Sequence, residues 1–355
     1  MRPVLIVGGG VSGICIAHSL AERGIPFELV SNPERRSSSR VAGGLINPVI
    51  GMRFSLPWNI TECLEEAKRV YSEMEALWNV QIYHQRRIYR MFKSAEQRSF
   101  WDRKRGVDVL APYAQELVDS GHWVDEFPQA RNEFGAVRIE GGGWLNFPTL
   151  LITAKKELEK KRIWRSEEMK ESMVRFTSQG AEWRGTEYGE VIDCRGFVPN
   201  SEWWNFLPWR GAKGEILTVR TEENWPTDEI WSREVFIVPL GGDCYRIGAT
   251  YSWDLQTDGP TEEGKSKLLE RLQNWIPAEV LAIDHRAGVR PILKDKFPVL
   301  GEHPDQPHLW IMNGLGARGG TTAPWLSRLL LDHIFDEVEL PEEIRLNRTL
   351  TARES

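Results

Sequence analysis

Cysteine is scarce. Four occur in 355 residues, Cys15, Cys63, Cys194 and Cys244, and no two share a CxxC spacing. That argues against a disulfide framework or a cysteine-built zinc site and reads all four as free thiols, buried or half-buried. His84, His122, His285 and His303 stand singly, without metal-ligand spacing, so no metal is expected. No apolar run approaches the ~18 residues that a membrane span needs. The N-terminal "VLIVGGG" is too short and too broken by glycine for a secretory h-region, which reads the chain as cytoplasmic. Positive charge is not in excess either. The formal net charge is −6, which gives no global attraction for nucleic acid or anionic membrane. The basic run "KKELEKKR" (Lys155–Arg162) alternates with glutamate at helical spacing, as a solvated helix face does. No Ser/His/Asp triad or paired-carboxylate site stands out. With 41% hydrophobic and 27% charged residues, the chain reads as an ordinary globular protein long enough for two domains.

Glycine, by contrast, is concentrated where chemistry would need it. Residues 1–31 read as strand, tight turn, helix, strand. "PVLIVGGG" is a continuous apolar run of the kind buried in a parallel sheet. "VSGICIAHSLAERG" places Ile14, Ala17, Leu20 and Ala21 at helical spacing and stops on Gly24. "PFELVS" is the second strand. Between strand and helix lies Gly8-x-Gly10-x-x-Gly13, a dinucleotide fingerprint: one glycine for the turn, one for close approach to a pyrophosphate, one for helix–strand packing. The acidic residue expected at the end of the second strand is missing. Ser31 and Asn32 stand there and could hydrogen-bond a ribose hydroxyl, more weakly than a carboxylate would.

A second glycine cluster lies far away, in "GLGARGGTTAPWLSRLLL" (Gly314–Leu331). Thr321 or Thr322 can cap a helix there, Pro324 suits its first turn, and Leu326, Leu329, Leu330 and Ile334 share one face. Such a helix start presents unpaired N–H groups and partial positive charge. Between the clusters come a small-residue loop (Glu34–Gly51) and a helical segment (Thr61–Asn79). "GEVIDCRG" is a further apolar strand; "KGEILTVR", "EVFIVPLGG" and "CYRIGATYSWD" alternate with period two, as in an antiparallel sheet. Sixteen tryptophans are present, several in "SEWWNFLPWRG", where packing and an aromatic-walled cavity both remain open. The expected class is α/β, with α+β character in a second, antiparallel domain.

Taken jointly, "VLIVGGGVSG", "SSSRVAGGLINP", "GGGWLNFPTLL", "VIDCRG", "KGEILTV", "VFIVPLGGDCYRIGAT", "AGVRPILKDKFPVLG" and "NGLGARGGTTAP" resemble the flavoprotein superfamily of D-amino-acid, glycine and sarcosine oxidases over nearly the whole chain. The last two segments look closest to the oxidase half of the bifunctional enzymes that trim a carboxymethylamino group on a modified tRNA uridine. The resemblance implies non-covalent FAD in a Rossmann-like domain, expected from residues 1–80, 141–212 and 284–345. It implies a substrate domain from 81–140 and 213–283, with a tail at 346–355. Gly8, Gly10, Ser12 and Gly13 would meet the pyrophosphate, and Ser31 and Asn32 the ribose. Ser39, Arg40, Ala42, Gly43 and Leu45 belong to the small-residue loop, with Ile46 beside them, and Met169 and Gly196 complete that part of the cofactor set. Gly314, Gly316, Ala317, Arg318, Gly319, Gly320 and Thr321 would face the isoalloxazine, whose reduced form carries negative charge suited to a helix N-terminus.

The resemblance also suggests roles for three residues. Arg290 in "GVRP" matches an arginine that grips substrate carboxylate and also borders the flavin; the alternative is a structural pairing with Asp284 or Asp295. Arg246 lies near the position of a cation that helps oxygen accept an electron; the alternative is a solvent-facing arginine on a half-exposed sheet. Phe236 replaces a substrate-touching tyrosine, which points away from glycine toward a larger or more apolar substrate. The expected activity is oxidation of the C–N bond of a small amine or amino acid, of D-amino-acid or N-substituted-glycine type. Hydride passes to flavin N5 and oxygen is reduced to peroxide. Alternatives are a dehydrogenase using a quinone or protein acceptor, a tRNA wobble-uridine oxidase, which the net charge disfavours, and a non-catalytic flavin-binding regulator.

Overall fold

A computed structural model describes residues 1–116, 127 and 130–351; His122 and the end of the expected tail lie outside these. The strand Val4–Val7 is buried along its whole length. It pairs in parallel with Phe27–Ser31 on one side and Glu190–Asp193 on the other. Trp164–Ser166 and Gln306–Asn313 extend the sheet in parallel, and Val299–His303 closes one edge antiparallel. Six strands from three regions of the chain therefore form one sheet. Both faces are covered, as the apolar runs require.

On one face pack the helices Val11–Glu22, Ile60–Trp78 and Gly319–Asp336. Their apolar stripes, including Ile14, Leu20, Val70, Met74, Leu326 and Leu330, share one core with Ile6 and Leu29. The buried Tyr71 hydroxyl donates to the Gly320 carbonyl at 2.7 Å, which fixes the start of the last helix against its neighbour. That helix begins earlier than the cap chemistry suggested. Arg318 stands at its N-cap without a side-chain cap, and Pro324 falls inside it. The N-cap thus lies three residues before Thr321, and Gly319 and Gly320 permit this because no Cβ obstructs the approach to Val11 and Phe147.

A second sheet has eight strands in the order Leu281–Arg290, Ala212–Arg220, Cys244–Gly248, Phe236–Gly241, Ile230–Ser232, Ile88–Met91, Ala136–Ile139 and Ala114–Glu116. All neighbours are antiparallel except Ile230–Ser232 with Ile88–Met91. Leu281–Arg290 pairs with Ala212–Arg220 up to Arg290, so the expected division at 283/284 falls inside a strand of this sheet. One face carries Leu217, Tyr245, Ile247 and Trp231 into a core shared with the helix Glu262–Gln273. The other face, with Ile216, Phe236 and Gly248, lines a cleft. The tryptophans of "SEWWNFLPWRG" pack rather than wall that cleft. Trp204 is fully buried and donates to Asp193 at 2.8 Å, and Trp203 and Trp209 pack around it.

Candidate active site

The cleft has a volume of about 1280 Å³. That exceeds the ~300–1,000 Å³ of ordinary small-molecule sites and leaves room for an extended dinucleotide together with a substrate. It opens outside the carboxyl ends of the parallel strands, where open α/β sheets bind their ligands.

At one end lies the first glycine turn. Gly8 has φ +116°, and a Cβ there would lie 2.7 Å from the Cys194 backbone. Gly13 does not line the cleft; a Cβ on it would lie 1.9 Å from the Gly8 carbonyl oxygen, so it lets the helix sit against the turn. Gly10 forms the helix N-cap without a side-chain bond, and the Val11 N–H donates to Ser39 Oγ at 3.1 Å. The N-terminal end of this helix thus remains directed at the cleft, a cradle suited to a pyrophosphate. Gly8, Gly10, Ser12 and Ser39 all line it.

The residues expected to meet the adenosine differ in how they are engaged. Ser31, Asn32, Met169 and Gly196 line the cleft. Asn32, however, accepts the Glu34 N–H at 2.9 Å, which commits its side-chain oxygen to a turn. Arg40 is exposed and donates to the Pro33 carbonyl at 2.6 Å. Two features escaped sequence reasoning. Trp164 packs over Gly9, which has no room for a Cβ. The Arg195 guanidinium bonds Asp193 at 2.9 Å and, from its Nη2, Glu171 at 2.5 Å. Burial opposes the charge on Arg195, but Asp193 and Glu171 raise its pKa above the usual value. Only the three-dimensional meeting of segments distant in the chain reveals that network.

At the other end, Gly316, Ala317, Arg318, Gly319, Gly320 and Thr321 line the cleft, while Gly314 (φ +76°) makes its turn behind them against Phe297 and Pro298. The Gly316 N–H donates to the Pro291 carbonyl at 2.9 Å, which places this turn beside Arg290. A Cβ on Gly319 would lie 3.2 Å from Val11 Cγ1, so the two helix starts, far apart in sequence, are neighbours. Opposite stand Ala42, Gly43 and Leu45, with Phe236 seated over Gly43. Ile46 points the other way, into the core.

Arg290 lines the cleft. Its guanidinium lies across Gly214 and donates to the Lys213 and Thr250 carbonyls, both at 3.3 Å, with Tyr251 beneath it at 5.2 Å. The expected structural partners are engaged elsewhere: Asp284 pairs with Arg286 at 2.5 Å and Asp295 with Arg348 at 2.8 Å. Among the described residues no carboxylate pairs with Arg290, and burial lowers its pKa, with Tyr251 acting the other way. Arg318 is likewise unpaired with any carboxylate among the described residues, and burial lowers its pKa too. Arg246 corrects the solvent-facing expectation. It is buried, its Nη1 reaches toward the Gly43 carbonyl at 3.4 Å, and burial pulls its pKa to about 10. It is not among the residues that line the cleft.

Of the histidines, His285 bonds Glu215, His84 stacks on Trp144, and His303 meets the Trp203 carbonyl. His18, Glu22 and Glu73 come close together, but Arg69 engages both carboxylates at 2.8 and 2.7 Å.

Residues 3–333 match the DAO family model, described as FAD dependent oxidoreductase. The chain belongs to the DAO family of FAD-dependent oxidoreductases. FAD is thus the cofactor that the glycine cradle and the roomy cleft fit. Among curated proteins this DAO-family chain is 24% identical to the tRNA 5-methylaminomethyl-2-thiouridine biosynthesis bifunctional protein of Legionella pneumophila, matching 93% of this chain and 54% of that protein. The chain therefore spans about half the length of these relatives. It is 22% identical to the oxidoreductase YurR of Bacillus subtilis, over 92% of this chain and 93% of that one. Among solved structures, iminodiacetate oxidase from Chelativorans superposes with TM-score 0.79 at 20% identity, covering 96% of this chain and 98% of that one. Glycine oxidase from Geobacillus kaustophilus does so with TM-score 0.79 at 21% identity, covering 96% and 95%. Both show the same mixed α/β fold. No helix among the described residues is long and apolar enough to cross a membrane.

Proposed function

We propose that this DAO-family protein oxidises the C–N bond of a small amino acid or N-substituted glycine to an imine, which water then hydrolyses. Two electrons pass to the flavin, and oxygen is their acceptor, giving peroxide. The observation that carries this reading is Arg290: a cleft-lining guanidinium held by two carbonyls, with no carboxylate partner among the described residues. Such a fork suits a substrate carboxylate, through charge-assisted bonds of roughly 1.5–3 kcal/mol each. The surrounding lining supports it. Segments 39–52, 248–251, 288–291 and 313–321 contribute no Asp or Glu to the cleft. An anionic substrate is therefore favoured beside Arg290; Glu234 and Asp258 line the cleft outside these segments. The chemistry supplied by bound FAD is two-electron acceptance from a C–H bond next to nitrogen. Arg290 orients the substrate, Phe236 and Leu45 exclude water, and the helix start at Gly319 places positive potential beside Arg290.

The test is an anaerobic screen of flavin bleaching against amines and amino acids. Anionic amino acids should bleach the flavin and their amides should not; bleaching by amides as fast as by acids would refute the carboxylate reading. Peroxide formed per flavin reduced in air distinguishes oxygen from a quinone or protein acceptor. A second reading, oxidation of an amine carried on tRNA, is supported by the Legionella relative, and salt-dependent retention of tRNA would favour it.

A further inference from the structure

The geometry points to Glu215 as a positioning residue that sets the aim of Arg290 from the far face of the sheet. This rests on the reading of Arg290 as the substrate-carboxylate ligand. Along Ala212–Arg220, successive side chains alternate between faces. Gly214 and Ile216 line the cleft, while Leu217 enters the opposite core, so Glu215 and Lys213 lie on the side away from it. Both are buried charges, a costly arrangement unless it is well paired.

The Glu215 carboxylate is saturated with donors. Thr261 donates from its backbone N–H at 3.0 Å and its hydroxyl at 2.9 Å. Lys213 Nζ lies at 3.2 Å and His285 Nε2 at 2.8 Å. Lys213 Nζ also donates to Thr257 at 3.0 Å. The backbone of Glu215 holds the other end of the same loop: the Thr250 N–H donates to its carbonyl at 3.1 Å, and its own N–H donates to Thr250 Oγ at 2.8 Å. One residue thus ties both ends of the segment Thr250–Thr261, and its neighbour Lys213 ties the middle.

That segment and that neighbour are what hold Arg290. Its two guanidinium donors go to the carbonyls of Lys213 and Thr250, the residues that Glu215 grips on either side. Tyr251, stacked under the guanidinium, follows Thr250 directly. Without the Glu215 charge, the Lys213 side chain loses its counter-ion and the loop loses its anchor at Thr261, while the backbone bonds at Thr250 remain. The carbonyl pair then shifts, and the fork turns with it. Glu215 touches neither cofactor nor substrate; its effect is on binding geometry, not on the chemical step.

The experiment uses the FAD-loaded protein, with propionate as probe and propionamide as uncharged control, each titrated through the flavin absorbance spectrum. Glu215→Gln should raise the propionate Kd, and KM for the best anionic substrate, roughly tenfold, with propionamide binding and FAD content unchanged. Its kcat should stay within about threefold, the pattern of weakened uniform binding. Arg290→Met should abolish the propionate response. If it does and E215Q binds propionate like the wild type, the positioning role is overturned and the Arg290 reading stands. If Arg290→Met leaves propionate binding intact, the Arg290 reading falls, and this inference with it. Should E215Q lose FAD through its buried unpaired lysine, the double variant Lys213→Met/Glu215→Gln removes that charge and is expected to show the same shift in Kd. Loss of FAD in both variants would overturn the inference, since Glu215 would then serve the fold rather than the aim of Arg290.

Discussion

Gly214→Ala is the sharpest probe of the site. The strand passes under Arg290 at a residue without a side chain, and a Cβ there would stand 2.2 Å from Nη2 and 2.4 Å from both Cζ and Nη1. Ordinary contact needs about 3.5 Å, so the guanidinium must lift by about 1.3 Å. Its bonds to the Lys213 and Thr250 carbonyls, both already 3.3 Å long, do not survive that movement. A displaced fork loses at least one charge-assisted bond to a substrate carboxylate, about 1.5–3 kcal/mol, or roughly 10- to 150-fold in affinity. The fold should not suffer. Gly214 is not in the left-handed region, and alanine in place of glycine reduces unfolded-state freedom, worth about 0.4–1 kcal/mol. The assay pairs kcat/KM for the best anionic substrate with a thermal melt. A fall of at least about tenfold in kcat/KM with an unchanged or higher Tm is expected. Wild-type kcat/KM in this variant would refute the placement of Arg290 as the carboxylate ligand.

Gly13→Ala should yield protein purified largely without FAD: the new methyl meets the Gly8 carbonyl oxygen at 1.9 Å, and this backbone neighbour cannot swing aside. The absorbance ratio of flavin to protein measures it. Tyr71→Phe removes the buried bond to the Gly320 carbonyl and leaves that acceptor unpaired, which costs about 1–3 kcal/mol; a Tm lower by several degrees is expected, and an unchanged melt would deny the contact its role. Burial pushes the Glu215 carboxyl up, but the Thr261 N–H and hydroxyl and Lys213 outweigh it, so its folded pKa is lowered. Its stabilisation is therefore full above the ordinary glutamate value of ~4.3 and is lost as pH falls through the lower folded value. Acid unfolding followed by circular dichroism should show this component in the wild type and lack it in E215Q.

Periodicity and glycine placement carried much of the architecture in the linear chain. The strands Val4–Val7 and Phe27–Ser31, the helix Val11–Glu22 and the antiparallel runs around Ala212–Gly248 follow from burial patterns that local residues dictate. The two glycine turns were legible because glycine is costly unless backbone must bend or approach something closely. Other features depend on which segments meet. The carbonyl seat of Arg290 joins residues 213, 250 and 290, so no spacing in the sequence encodes it. Arg246 looked solvent-facing from strand alternation alone, yet the loop at Gly43 covers it. Asn32 was a plausible ribose ligand by position, and only the structure shows that its side-chain oxygen also accepts the Glu34 N–H. Local chemistry chose the elements, because dihedral preference and apolar periodicity act over a few residues. Only tertiary packing decided which charges lie unpaired in the cleft, because desolvation and pairing depend on neighbours that the chain brings in from afar.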